Sequence, residues 1–139
     1  MEPAAINLPR AEGPSTRSIL IVDDSQMVTR ALRIMLGNAG YRVEAFESGL
    51  AALRHAAVTP PDAAVIDIHL PDINGLVLTQ RLRGILGPGA PLIVLSGDTS
   101  METLNSLPHV GATYFFPKPV QAAQLVERLR EWTRAEDER

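Results

Sequence analysis

Ser18-Ile19-Leu20-Ile21-Val22-Asp23-Asp24 is the stretch whose reading decides the fold of this 139-residue chain. An unbroken apolar run of this length, rich in Ile and Val, reads as a strand buried on both faces, as in a parallel sheet. It ends abruptly in two carboxylates. The pattern recurs twice: Ala63-Ala64-Val65-Ile66 closes on Asp67, and Tyr114-Phe115-Phe116-Pro117 closes on Lys118-Pro119. In open α/β sheets, ligands collect in the crevice beyond the carboxyl ends of the strands. Three carboxylates and one ammonium gathered there make a small charged site suited to a divalent cation.

Outward from these strand ends, the chain alternates strand and helix signals. Ser25 is placed to cap a first helix whose stripe is Val28, Ala31, Leu32, Met35 and Leu36, with Gly37 and Gly40 bracketing its end. Arg42–Phe46 reads as an edge strand, and Ser48 caps a short helix over Gly49–Ala56. After the strand ending at Asp67, residues 68–75 form a loop and Leu76–Arg83 a helix, with Leu78 and Leu82 inward. Gly84–Pro91 reads as a turn-rich break. Leu92–Leu95 is a further buried strand ending at Ser96, and a fourth helix runs from Ser100 to Leu107, stopped by Pro108. The last helix spans Val120 to Thr133, with Ala122, Leu125, Val126, Leu129 and Trp132 as its stripe.

Five strands alternating with five helices imply an α/β fold: one doubly wound parallel sheet with helices on both faces. The flavodoxin-like strand order 2-1-3-4-5 suits a chain this short. The first and third strands then flank the switch point, and these are the strands that end in Asp23-Asp24 and Asp67.

Composition narrows the function classes. The chain is 45% apolar and 21% charged, as ordinary globular proteins are, and its net charge of −3 gives no basic footprint for nucleic acid. No apolar run approaches the ~20 residues that cross a bilayer. Met1-Glu2-Pro3-Ala4 lacks the basic start of a signal peptide. There is no cysteine, hence no disulfide or zinc–thiolate site. A cytoplasmic location is the expectation.

Five features come in order, each at the end of its own element. They are Asp23-Asp24, the loop Asp67…Pro71…Gly75, Ser96, Gly111-Ala112 and Lys118-Pro119. In these the chain resembles the receiver domain of a bacterial two-component response regulator, over residues 18–133. Residues 1–17 are then a flexible N-terminal tail, and 134–139 a charged C-terminal tail or the start of a linker. The resemblance implies a signalling module, not an enzyme. Asp67 is the phosphoacceptor, supplied by a histidine kinase or His-containing phosphotransfer protein. Mg²⁺ is held by Asp24, Asp67 and the backbone carbonyl of His69, with Asp23 assisting through water. Ser96 is the switch hydroxyl, Lys118 meets the phosphoryl oxygens, and Phe115 takes the switch-aromatic position. His69 and Asp98 flank the path of hydrolytic water and so bear on phosphoryl lifetime. The Lys118–Pro119 peptide is expected to be cis. Output is expected through the face of the fourth helix, fifth strand and fifth helix, toward a downstream protein or a second copy. Neither nucleic acid nor membrane is expected as a partner. No output domain is legible, so the chain is a stand-alone receiver or part of a longer regulator.

Blander readings compete at each position. Asp23 and Asp24 are also good helix caps, Ser96 can cap the turn after it, and a lone Lys118 would be a surface lysine. Arg30, Arg33, Arg81 and Arg83 read as solvated helix faces. A Mg²⁺-dependent aspartyl-phosphate phosphatase is the enzymatic alternative. Its nucleophile, however, follows the first strand in an Asp-x-Asp pattern, whereas here the strand ends Asp23-Asp24-Ser25. Three departures from the commonest receiver pattern stand out: Asn74 before the loop glycine, Phe115 for tyrosine, and Pro108 shortening the fourth helix.

Overall fold

The computed structural model describes residues 16–138. The strands are β1 (Ser18–Val22), β2 (Arg42–Phe46), β3 (Ala63–Asp67), β4 (Leu92–Ser96) and β5 (Tyr114–Pro117). Alternating with them come α1 (Gln26–Asn38), α2 (Gly49–Val58), α3 (Gly75–Leu86), α4 (Met101–Val110) and α5 (Ala122–Asp137). All neighbouring strands are parallel, in the order β2-β1-β3-β4-β5.

The continuous apolar runs follow from burial on both faces. Ile19, Ile21, Ala63, Val65, Ile93 and Leu95 meet α1 and α5 through Leu32, Leu36, Leu125 and Leu129. The alternate residues Leu20, Val22, Ala64, Ile66 and Leu92 meet α2 and α3 through Ala52, Ala56, Leu78 and Leu82. β5 alternates as its sequence does. Tyr114 and Phe116 pack on the α1–α5 side, and Phe115 packs with Leu104 and Leu107 of α4. Ser25, Ser48 and Ser100 each cap their helix, accepting from Val28, Ala51 and Thr103 amides respectively.

Several boundaries differ from the sequence expectation. α3 does not break at Gly84 but runs to Leu86, ending at Gly87. Leu86 packs against the α2–α3 core, and Arg83 holds the turn beyond it. α4 does not stop at Pro108 but continues to Val110, ending at Gly111 with φ +85°. A proline in a last turn forfeits one backbone bond, and the left-handed glycine then supplies the stop. α5 runs through Thr133 to Asp137, so residues 134–137, expected as a tail, are helical. Two contacts from elsewhere in the chain hold this extension. Tyr41 Oη lies 2.7 Å from Thr133 Oγ1, and Arg17 bridges Asp137 at 2.8 Å. Arg17 also lies over the Trp132 ring, so residue 17 is not part of a loose tail. Residues 1–15 of that expected tail lie outside the described residues. Ala31, expected in the α1 stripe, is exposed.

Arg83 is not a solvated helix residue. Its guanidinium donates to the carbonyls of Gly87 (2.7 Å), Ala90 (2.7 Å) and Gly111 (2.6 and 3.1 Å), and to Thr113 Oγ1 (3.2 Å). One side chain thereby joins the ends of α3 and α4 to the start of β5. Desolvation lowers its pKa from the ordinary arginine value. Asp72, in the β3–α3 loop, makes a comparable link to α2. Its carboxylate accepts from Ser48 Oγ (2.6 Å), Gly49 N (2.9 Å) and Leu50 N (3.0 Å). These bonds, led by that of Ser48, lower its pKa to about 2.

Two measurements check these links. Arg83→Met strands three half-buried carbonyls, and hydrogen bonds to charged groups contribute about 1.5–3 kcal/mol each. Urea denaturation is expected to show a loss of at least about 2 kcal/mol; a loss below about 0.5 kcal/mol refutes the role. For Asp72 the folded pKa lies below the unfolded one. Its contribution is therefore complete above an unfolded value of 3.8 and is lost as pH falls through about 2. The stability difference between wild type and Asp72→Asn is expected to narrow steadily as pH falls below that unfolded value. A difference that stays constant to the acid limit of folding contradicts the assignment.

Candidate functional site

The strand order brings four carboxyl ends side by side. Asp23 follows β1 directly, Asp67 and Ser96 are the last residues of β3 and β4, and Lys118 follows β5. Pairing continues past the strand ends. Asp23 N donates to the Phe46 carbonyl (3.1 Å), Ile68 N to Leu95 (3.0 Å) and Lys118 N to Ser96 (2.9 Å). The functional side chains therefore stand on a backbone fixed by the sheet. Gly75 completes the floor, because a Cβ there would overlap the Asp67 carbonyl oxygen. Only glycine lets α3 start this close to β3.

Asp23 is fully buried and Asp67 is 3% exposed, whereas Asp24 is exposed. Lys118 Nζ lies 3.1 Å from Asp23 Oδ2 and 3.2 Å from Asp67 Oδ2. One ammonium thus serves two buried carboxylates. Asp23 Oδ1 accepts from Ser25 N (2.8 Å), and Asp67 Oδ1 from His69 N (3.2 Å). Asp23 Oδ2 meets the Lys118 ammonium. Burial, and then the charge of Asp67, raise the Asp23 pKa against the opposing pull of the Ser25 amide and Lys118. Burial also works against the Lys118 ammonium, but the two carboxylates outweigh it and hold its pKa above the ordinary lysine value. The Lys118–Pro119 peptide is cis.

Oxygens of Asp23, Asp24 and Asp67 all lie within 4.8 Å of one another. The donor set is all carboxylate, two of the three groups are buried, and one ammonium serves both buried ones. That is the chemistry a hard divalent cation takes, and the residues present fit Mg²⁺. Ser96 is fully buried, and its Oγ accepts from Asp98 N (2.9 Å). The hydroxyl proton stays free to donate.

The exposed residues at the rim are differently engaged. Asp98 accepts from Ser100 N (2.9 Å) and Thr103 Oγ1 (2.8 Å), which lower its pKa with a small further pull from His69. It is part of the α4 N-terminus as much as of the cleft. His69 is exposed, and its backbone faces Asn74 across a single bridge. Phe115, half-buried, lies opposite Val94 in the β4–β5 register, two positions short of the Ser96–Pro117 pair. Sequence reasoning missed Asp72 and Arg83, which touch no site carboxylate. The one available signal for Asp72 was its place in the loop after Pro71. Its partners lie 22–24 residues away.

Comparison with known proteins agrees with this geometry. Residues 19–130 match the family described as the response regulator receiver domain. The transcriptional regulatory protein KdpE of Mycobacterium tuberculosis H37Rv is 39% identical over 112 residues, 81% of this chain and 49% of that protein. The response regulator MprA of the same strain is 37% identical over 112 residues, 81% of this chain and 48% of that protein. The chain spans about half the length of these curated relatives. A CheY-like receiver domain protein from Methanospirillum hungatei JF-1 superposes with a TM-score of 0.81 at 28% identity, covering 88% of this chain and 98% of that one. CheY4 of Vibrio cholerae does so at 0.76 and 28%, covering 84% and 98%. Among the described residues, no helix is long and apolar enough to cross a membrane. On the family match and these relatives, the chain belongs to the response regulator receiver domains of two-component systems.

Proposed function

We propose that this receiver domain is a phosphoryl-accepting switch in which Asp67 takes the phosphoryl group of a phosphohistidine. The donor is a histidine kinase or a His-containing phosphotransfer protein. The observation that carries the reading is the pair of buried carboxylates sharing Lys118, with the Ser96 hydroxyl on the next strand end. In the transfer, the Asp67 carboxylate bonds to phosphorus as the phosphorus–nitrogen bond breaks, and that electron pair returns to the donor imidazole. The transition state is loose and spreads charge over three oxygens, so positioning and neutralisation carry the catalysis. Asp24, Asp67 and the His69 carbonyl, with Asp23 through water, would hold Mg²⁺, which would supply positive charge against those oxygens. Lys118 supplies a second cation and needs only to exchange a carboxylate oxygen for a phosphoryl oxygen.

Ser96 donates its free proton to a phosphoryl oxygen, and the Phe115 ring moves into the space vacated. The change is reported on the α4–β5–α5 face to a downstream protein or a second copy of the chain. Shifting such an equilibrium from 1:99 to 99:1 takes ~5.5 kcal/mol. A charge-assisted hydrogen bond contributes about 1.5–3 kcal/mol, so Ser96 acts together with Lys118 and the metal. His69 and Asp98 stand at the rim, where an imidazole or a carboxylate orders or repels the hydrolytic water and sets the lifetime. In this reading the chain is a cytoplasmic signalling module that contacts proteins and not nucleic acid. The phosphatase alternative is disfavoured because its Asp-x-Asp pattern is missing: β1 is followed by Asp23-Asp24-Ser25.

Two experiments test the reading. Incubation with acetyl phosphate and Mg²⁺ is expected to add one hydroxylamine-labile phosphoryl group, absent in Asp67→Asn and after EDTA. Full labelling of Asp67→Asn sinks the assignment. On the labelled protein, His69→Ala and Asp98→Ala are expected to change the decay half-time several-fold, and unchanged decay in both makes these residues bystanders. In the second, Ser96→Ala is expected to accept the phosphoryl group but to lose most of the NMR shift change in α4 and α5. Shift changes equal to wild type would mean that the coupling takes another route.

A further inference from the structure

The β3–α3 loop, residues 68–74, carries His69, whose amide bonds the Asp67 carboxylate. The ends of the loop are fixed by the sheet and by α3: Ile68 N donates to Leu95 O (3.0 Å) and Gly75 N to Ile68 O (2.8 Å). Inside the loop, Leu70 N donates to Ile68 O (3.2 Å) and His69 bridges Asn74, and its outer span meets α2. Asp72 receives three hydrogen bonds from residues 48–50, and α2 has no acidic residue in its own first turn. The loop therefore provides the anion that the α2 N-terminus lacks. The same junction is closed from inside. A Cβ on Gly49 would overlap Ile73 Cγ2 and come within 3.1 Å of Leu70 Cδ1. Charge on one side and apolar contact on the other pin the loop to one short segment of α2.

We propose that Asp72 is a positioning residue for phosphoryl transfer, latching the loop to the start of α2 so that His69 is held beside Asp67. The inference rests on the preceding reading of Asp24, Asp67 and the His69 carbonyl as the Mg²⁺ site. Mg²⁺ demands near-ideal octahedral geometry, so a ligand on a loosened loop is a poor ligand. Groups that orient metal ligands from outside typically cost ~10–100-fold in metal affinity when removed. Asp72 touches no reacting atom. Its loss acts on the cation requirement and leaves the extent of phosphorylation at saturating cation intact.

The test is Mg²⁺ titration of the full chain, followed by the amide NMR shifts of Asp24 and Asp67. Wild type, Asp72→Ala, Asp72→Asn and Gly49→Ala are compared. Gly49→Ala strains the same junction without altering charge. Asp62→Asn is the control: it removes an equal charge from a carboxylate that bonds Ser18 instead. The dissociation constant is expected to rise about tenfold in both Asp72 variants and to stay within about twofold in Asp62→Asn. Acetyl phosphate labelling at saturating Mg²⁺ is expected to match wild type. If Asp72→Ala fails to fold, Asp72→Asn and Gly49→Ala give the answer. Wild-type affinity in a folded Asp72 variant, with the Gly49 and Leu50 amide signals displaced, overturns the latch. A wild type without any Mg²⁺ response at Asp24 and Asp67 overturns the metal reading itself, and the latch with it.

Discussion

One ammonium between two buried carboxylates is the constraint on which the rest of this structure depends. Lys118 lies 3.1 Å from Asp23 and 3.2 Å from Asp67, and both acids are almost wholly out of water. Buried charges persist only when they are paired, and here the pairing is one positive charge short. With Asp24 at the rim, the deficit grows to two. The fold maintains an arrangement that is unfavourable by itself and that added positive charge relieves. Metal affinity and a change of state on modification are the two uses such a site has, and the proposed function draws on both.

The sheet makes this imbalance tolerable. Asp23, Asp67 and Ser96 sit at the ends of strands whose apolar residues are fully buried, which holds their backbone rigid, while Lys118 follows the half-buried edge strand β5. The backbone bonds that continue past β1, β3 and β5 extend that rigidity to Asp23, Ile68 and Lys118. The groups proposed to respond to phosphorylation lie where packing thins. α4 buries only Leu107, its N-terminus is tied to the site through Ser96, Asp98 and Ser100, and its C-terminus is tied to α3 by Arg83. A displacement of Ser96 would therefore reach α4 at its N-terminus while Arg83 holds its C-terminus.

β1, β3 and β4 were legible in the sequence because burial on both faces turns them into unbroken apolar runs, and the Ser25 and Ser48 caps because their partners lie three residues away. What was not legible depends on distant partners. Gly84 reads as a helix breaker until Arg83 is seen gathering the carbonyls beyond it. Thr133 reads as the end of α5 until Arg17 and Tyr41 reach the following turn. Pro108 reads as a stop, but the left-handed Gly111 three residues on is the actual one. Within the site, residue types and strand-end positions pointed to Asp23, Asp24, Asp67, Ser96 and Lys118, which the fold gathers into one cleft. That Asp23 is sealed while Asp24 is open does not follow from adjacent identical residues. It follows from the turn in which Asp23 bonds Ser25 and faces Lys118.

The measurement that bears most directly on the central claim is fluorine NMR of the protein with beryllium fluoride, a mimic of an acyl phosphate. A single seat among Asp67, Ser96 and Lys118 predicts one set of bound signals that requires Mg²⁺ and vanishes in Asp67→Asn. Bound signals that persist in Asp67→Asn, or that form equally well without Mg²⁺, would contradict the account.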